Sequence, residues 1–342
     1  MNMNLEQLYW DVKALIDKVD CSRLWNGFQP LKFALYDEET CFFDGKYIPK
    51  TDAFLGNTAI SHAGEMIAIW NVMEQTDPVV LASKMIHEMF HGFQRANRES
   101  RFPDEMDALY HYRYEDANLS LKLEENRIIV RLLERFDGEL FRKLWSMRKY
   151  RHQHFPYQYH YEACVEQIEG TAQYVELEAL KQLSEPHYQA QLERWKARIV
   201  EESNLIPVRI ICYDIGALLL EILRENGIAF RDGFEALPFS ESFLTDAAEF
   251  TDPVALTMGK AVEAYYGEVD RVIADAVAKA DVVAEDDHEI LGVNVYNAAC
   301  HKGHIITRYF VMYGDPQQPQ VAYGDFVLET REYKRLSKIY RI

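Results

Sequence analysis

Cysteine is scarce in this chain, and the five present (Cys21, Cys41, Cys164, Cys212 and Cys300) are widely spaced, odd in number and never arranged as a CxxC pair. That argues against a disulfide framework and against a thiolate zinc site, and it leads us to expect a reducing, cytoplasmic setting. Long apolar runs are missing as well. The most apolar stretch, Ile206 to Leu223, is interrupted by Arg209, Asp214 and Glu221, so it reads as a core helix and not as a membrane span. Positive charge is in deficit, with 37 Lys plus Arg against 55 Asp plus Glu and a net charge of −18. Such a field repels nucleic acid and anionic lipid, and neither is expected as a partner. GxSxG, Walker A and GxGxxG sequences are absent, which removes the usual support for serine hydrolase, P-loop and dinucleotide-binding chemistry. No heptad run marks an oligomeric state, and there is no internal repeat or low-complexity segment.

What is present is the composition of a well-packed protein, with 48% hydrophobic and 13% aromatic residues over 342 positions, enough for one large domain or two smaller ones. The N-terminal MNMNLEQLYWDVKALIDKVD carries acids among its apolar residues and lacks the basic start and apolar block of a signal peptide. It reads as an amphipathic helix. From Leu31 to Val72 the pattern turns to short alternating runs, predicting an antiparallel β-meander. Asp77 and Pro78 then supply an N-cap and a first-turn proline for a helix that runs through VVLASKMIHEMFHGFQRANR. Further helices are expected at 117–135, 138–152, 158–183, 187–202, 207–225 and 259–280, followed by strand-like runs from Val282 onward. The fold class is therefore α+β: an antiparallel sheet, a mostly helical body over 1–280, and a β-rich C-terminal section over 281–342. Those strands are expected either as a separate sheet or as additions to the first. The acidic stretch from Glu235 to Glu289 is the one candidate boundary.

The chemistry is concentrated in His87-Glu88-Met89-Phe90-His91, an HExxH sequence inside a predicted helix. Positions i and i+4 share a helix face, so both imidazoles can converge on one metal ion, with zinc the expected choice. Glu88 is rotated off that face and is placed to serve as a general base. Ala82, Ile86, Phe90 and Phe93 supply the opposite, apolar face. A third ligand must come from elsewhere, because Gln94 and Asn97 stand where a metzincin would carry Gly and His. The helix YEACVEQIEGTAQYVELEAL offers Glu162, Glu166, Glu169 and Gln173 as one polar stripe, with Gln173 a candidate hydrogen-bond partner for a ligand histidine. Small residues Gly170, Thr171 and Ala172 would let it approach the HExxH helix closely. The segment RHQHFPYQYHYEA brings Tyr161 and His160 forward as donors to a developing oxyanion.

In HExxH on one helix and EGTAQY on a later one, the chain resembles the gluzincin metallopeptidases, including thermolysin and the zinc aminopeptidases, over roughly a third of its length. The resemblance implies His87, His91 and Glu169 as zinc ligands, Glu88 as catalytic base and a zincin-like fold. It also implies a substrate-binding edge strand at Glu65 to Asn71. A long helical insertion separates His91 from Glu169 here, and Glu166 stands as the runner-up ligand. The expected function is a zinc-dependent hydrolase, foremost a peptidase acting on a peptide or protein. Alternatives are a zincin-fold binding protein without turnover and a zinc hydrolase of a non-peptide amide.

Overall fold

Apolar residues at Leu5, Tyr9, Val12 and Ile16 recur at helical spacing, and they form the buried stripe of helix α1 (Leu5–Ile16), capped by the Asn4 side chain, which accepts from the Gln7 N–H. A short helix α2 (Cys21–Leu24) follows. The computed structural model describes residues 4–73, 76–234 and 237–342, and the expected boundary residue Glu235 lies outside the described residues.

The first sheet contains β1 (Lys32–Tyr36), β2 (Thr40–Phe43), β3 (Lys46–Pro49), β4 (Thr58–His62) and β5 (Glu65–Asn71), in the order β3-β2-β1-β5-β4. This corrects the expected meander. Strands β1 to β3 are antiparallel neighbours and so are β4 and β5, but β5 pairs with β1 in parallel. The segment Glu65–Asn71 is therefore an interior strand, and β4 forms the edge. The reason is written in burial: Ile67, Ala68 and Ile69 are all fully covered, a run that needs neighbours on both faces, whereas in β4 only Ala59 is buried.

Helix α3 (Pro78–Ala96) lies across β4 and β5, with Asp77 accepting from the Val79 N–H and Pro78 in the first turn, as its sequence predicted. A short helix α4 (Glu105–His111), not foreseen from the sequence, leads into α5 (Asp116–Glu134), α6 (Gly138–His154) and α7 (Pro156–Val165). The helix expected over 158–183 is divided. Glu166–Gly170 forms a π-helical turn, and the α-helix resumes as α8 (Thr171–Leu183), followed by α9 (Glu185–Val200), α10 (Arg209–Glu225) and α11 (Gly259–Lys279). No helix among the described residues is long and apolar enough to cross a membrane.

The C-terminal strands build a second sheet of their own. Strands β6 (Val282–Val293), β7 (Ala299–His301), β8 (His304–Thr307), β9 (Phe310–Asp315), β10 (Gln318–Tyr323), β11 (Phe326–Glu332) and β12 (Arg335–Arg341) run antiparallel in the order β10-β9-β6-β12-β11-β8-β7. On one face Val269, Val272 and Ala276 of α11 meet Ile306, Val327 and Tyr340. Against the other pack Met106, Leu109 and Tyr110 of α4. The sheet is thus joined to the helical body through α4, which leads directly toward the candidate site.

Inside the helical body the acidic stripe becomes an ionic core. Glu162 accepts from Lys122 Nζ at 2.6 Å, from Arg151 Nη2 at 2.7 Å and from the Tyr112 hydroxyl at 2.6 Å. Glu166 pairs with Arg148 at 2.5 Å, and Glu125 with Arg151 at 3.0 Å. All six charged side chains are fully buried, and their charges balance. Burial by itself would raise the Glu162 pKa, but Arg151 and Lys122 overcome it and hold the carboxyl at about 2. Ionised Glu162 therefore favours the fold at every pH above about 4.5, its value in the unfolded chain, and that contribution is lost as pH falls toward 2. Stability measured by denaturant titration should decline across that window. Replacing Glu162 with Gln, which strands Lys122 and Arg151, should cost about 3–5 kcal/mol at neutral pH.

Candidate metal centre

His87 and His91 sit one turn apart on α3, and both direct Nε2 toward the π-helical turn that begins α8. The two Nε2 atoms are 3.1 Å apart; Glu169 Oε2 stands 3.3 Å from His91 Nε2 and 3.9 Å from His87 Nε2. Among the described residues this is the single group of His, Cys, Asp and Glu side chains disposed to hold a metal ion. A tetrahedral zinc with ligand bonds of about 2.0–2.2 Å would separate its ligand atoms by about 3.3–3.5 Å. The observed triangle is close to one face of that tetrahedron.

The hydrogen bonds behind the ligands define which atoms carry protons. Gln94 Nε2 donates to the Ile168 carbonyl at 2.9 Å and to Thr171 Oγ1 at 3.0 Å. Because a carbonyl only accepts, the Gln94 amide orientation follows, and its Oε1 is the atom 2.8 Å from His91 Nδ1. His91 therefore donates through Nδ1, and in the neutral ring Nε2 offers a bare lone pair. His87 Nδ1 lies 3.2 Å from Glu176 Oε2, without the alignment of a hydrogen bond. Both outer ring nitrogens thus face an oxygen acceptor, the arrangement that orients histidine ligands in metal sites.

Charge points the same way. Burial pulls the His87 pKa down, but Glu176, Glu88 and Glu169 push it up to about 9. Burial would raise the Glu169 pKa, yet His91, Arg209 and His87 beside it hold it at about 2. The three carboxylates around His87 make the pocket negative, which favours a divalent cation, and that cation must displace the His87 proton to bind.

Glu169 is anchored through its other oxygen. Arg209, the first residue of α10, donates Nη2 to Glu169 Oε1 at 3.2 Å and Nε to Glu105 Oε1 at 2.7 Å. Its guanidinium lies against the Tyr213 and Tyr296 rings, with the latter centroid 4.7 Å away. The π turn itself is pressed on α10 at Gly170 and Gly216. A Cβ added at Gly170 would fall 2.6 Å from the Gly216 Cα, so only glycine permits the contact. This corrects the expected role of Gly170, which admits α10 and not the HExxH helix; Thr171 makes the α3 contact instead.

Several expected site residues lie elsewhere. Glu166, the runner-up ligand, and Glu162 are committed to the buried cations of the ionic core. Gln173 donates to Asp214 and not to a ligand histidine. Tyr161 gives its hydroxyl to Glu105 at 2.9 Å and reaches the centre only through Arg209. His160 bonds Glu241 at 2.8 Å and has Cys164 Sγ at 3.6 Å, with no contact to either ligand histidine. Glu88 is 9% exposed, and no hydrogen bond or ion pair among the described residues engages its carboxylate; its charge is felt by both His87 and Tyr296.

Sequence reasoning missed Gln94, Glu176, Arg209 and Tyr296. The first two carried a signal, since Gln94 follows His91 by three positions and Glu176 follows Glu169 by seven, both same-face spacings. Comparisons with known proteins add no identity: no family model, curated protein or solved structure matches the chain. Gln94→Leu and Glu176→Gln should each weaken divalent-metal affinity roughly 10- to 100-fold in chelator competition. Unaltered affinity in both would remove these residues from the site.

Proposed function

We propose that the protein is a zinc-dependent hydrolase, foremost a peptidase, with His87, His91 and Glu169 as ligands and Glu88 as general base. The observation that carries this reading is the convergence of three lone-pair donors at tetrahedral spacing, each backed by its own partner, beside an otherwise uncommitted carboxylate. Zinc bound to such a set would lower the pKa of a coordinated water to about 7 and polarise a substrate carbonyl. The chain's own residues do the rest. Glu88 takes the proton released during attack and returns it to the leaving amine. Arg209, holding Glu169 Oε1, leaves Oε2 for the metal and keeps the ligand from rotating.

In a zincin-like reading the substrate edge is β4 and not Glu65–Asn71. β4 is the outer strand of the first sheet on the α3 side, and its unpaired edge suits an extended peptide added as a further strand. Tyr161 and His160 take no part in this chemistry, because the hydroxyl and the imidazole are engaged away from the centre.

Metal analysis and a peptide-library digest test this proposal together. The purified chain should take up one zinc, and Glu88→Gln should retain it while losing at least about a thousandfold in turnover. A Glu88→Gln variant with full activity would refute the assigned base, and failure to bind zinc on titration would refute the centre.

A further inference from the structure

A second constellation of titratable side chains lies outside the metal centre. His160 and Cys164 stand one turn apart on α7, so their side chains share a helix face. Cys164 Sγ lies 3.6 Å from His160 Nε2, and His160 Nδ1 lies 2.8 Å from Glu241 Oε1. Glu241 belongs to a one-turn 3-10 helix, Phe239–Phe243, far along the chain. That turn is pinned to the same helical segment by the Phe239 N–H, which donates to Gln167 Oε1 at 2.8 Å. Thiol, imidazole and carboxylate therefore stand in file, contributed by two separate elements. An ionised carboxylate only accepts, so His160 donates through Nδ1, and Nε2 is the atom left to exchange a proton with sulfur.

The other four cysteines sit in a different environment. Burial pushes the Cys21 thiol up to about 11 and the Cys41 and Cys212 thiols up to about 12, and it raises Cys300 as well. They stay protonated at neutral pH and are poor nucleophiles. Among the described residues Cys164 alone has a ring nitrogen against its sulfur. The bonds to Cys164 and Glu241 outweigh burial at His160 and push the imidazole up to about 10. An imidazolium therefore faces the sulfur at neutral pH, and that is the neighbouring charge that makes a thiolate available. Access then selects the reagent. The His160 side chain is 59% exposed, but Cys164 is only 6% exposed, so a peptide carbonyl is shut out and the suitable electrophile is a small one, of the size of a hydroperoxide.

We propose that Cys164 is a peroxide-reactive thiol, activated by His160 and Glu241 and independent of the metal centre. In the step, the thiolate sulfur attacks one oxygen of a hydroperoxide. An S–O bond forms as the O–O bond breaks, and sulfur gives up two electrons to the peroxide. With hydrogen peroxide, the departing hydroxide takes the proton from His160 Nε2 and leaves as water, so Cys164 ends as a sulfenic acid beside a neutral imidazole. The intact chain is treated with hydrogen peroxide in the presence of dimedone, which traps sulfenic acids, and each cysteine is followed by mass spectrometry. Cys164 should be labelled at least about tenfold faster than Cys21, Cys41, Cys212 or Cys300. His160→Gln should slow that labelling at least about tenfold, and Glu241→Gln severalfold. A merely structural role predicts the opposite, since loosening α7 would expose the sulfur and speed its reaction. If circular dichroism shows His160→Gln to be misfolded, Glu241→Gln is read in its place. Equal labelling of the five cysteines, a faster Cys300, or an unchanged or higher Cys164 rate in the folded variant overturns the proposal.

Discussion

Two imidazole Nε2 atoms and a carboxylate oxygen, each with a lone pair to offer once deprotonated, are held within 4 Å of one another in a largely buried pocket. Lone pairs in that arrangement repel unless positive charge lies among them, and solvent is too restricted to screen the repulsion. The surrounding fold is consistent with maintaining this constraint. Gln94 accepts from the outer ring nitrogen of His91, the Glu176 carboxylate lies beside that of His87, and Arg209 donates to the outer carboxylate oxygen of Glu169.

Rigidity behind Glu169 comes from two different kinds of contact. On one side the Gly170–Gly216 contact presses the π turn onto α10, bringing backbone against backbone. On the other, Glu166 and Glu162, earlier in the same helical segment, are clamped by Arg148, Arg151 and Lys122. A buried ionic cluster of this sort is poor value as net stability, because desolvation consumes most of the Coulombic gain. It is demanding about geometry, however, since each charge has its partner in one place. The π turn falls between these two anchors, at a position where an extra residue per turn redirects the chain.

The legible parts of the fold were those where one local rule dominates. Asp77 and Pro78 marked the start of α3, and the apolar spacing of Leu5 to Ile16 marked α1, because caps and amphipathic stripes depend on neighbours in sequence. The order of the first sheet was not legible. Short alternating runs at Lys32–Tyr36 and Glu65–Asn71 look alike to a periodicity argument, and whether they pair in parallel is decided by which faces the helices cover. The glutamate stripe failed in an instructive way: Glu162, Glu166, Glu169 and Gln173 share a face only in an uninterrupted α-helix. The π turn breaks that phase, so two of them serve buried cations, one serves the histidines and one serves Asp214.

By itself, then, the sequence determined the helical pairing of His87 with His91 and the position of Glu88 off their shared face, since the α-helix imposes 100° per residue wherever it forms. It also determined an α+β chain with strands gathered at its C-terminal end. Only the tertiary structure decided that Glu169 and not Glu166 meets the histidines, and that Arg209 and Tyr296, distant in sequence, border them. Those residues come together through packing between elements, and a contact across many intervening residues leaves no periodic trace in the segments that make it.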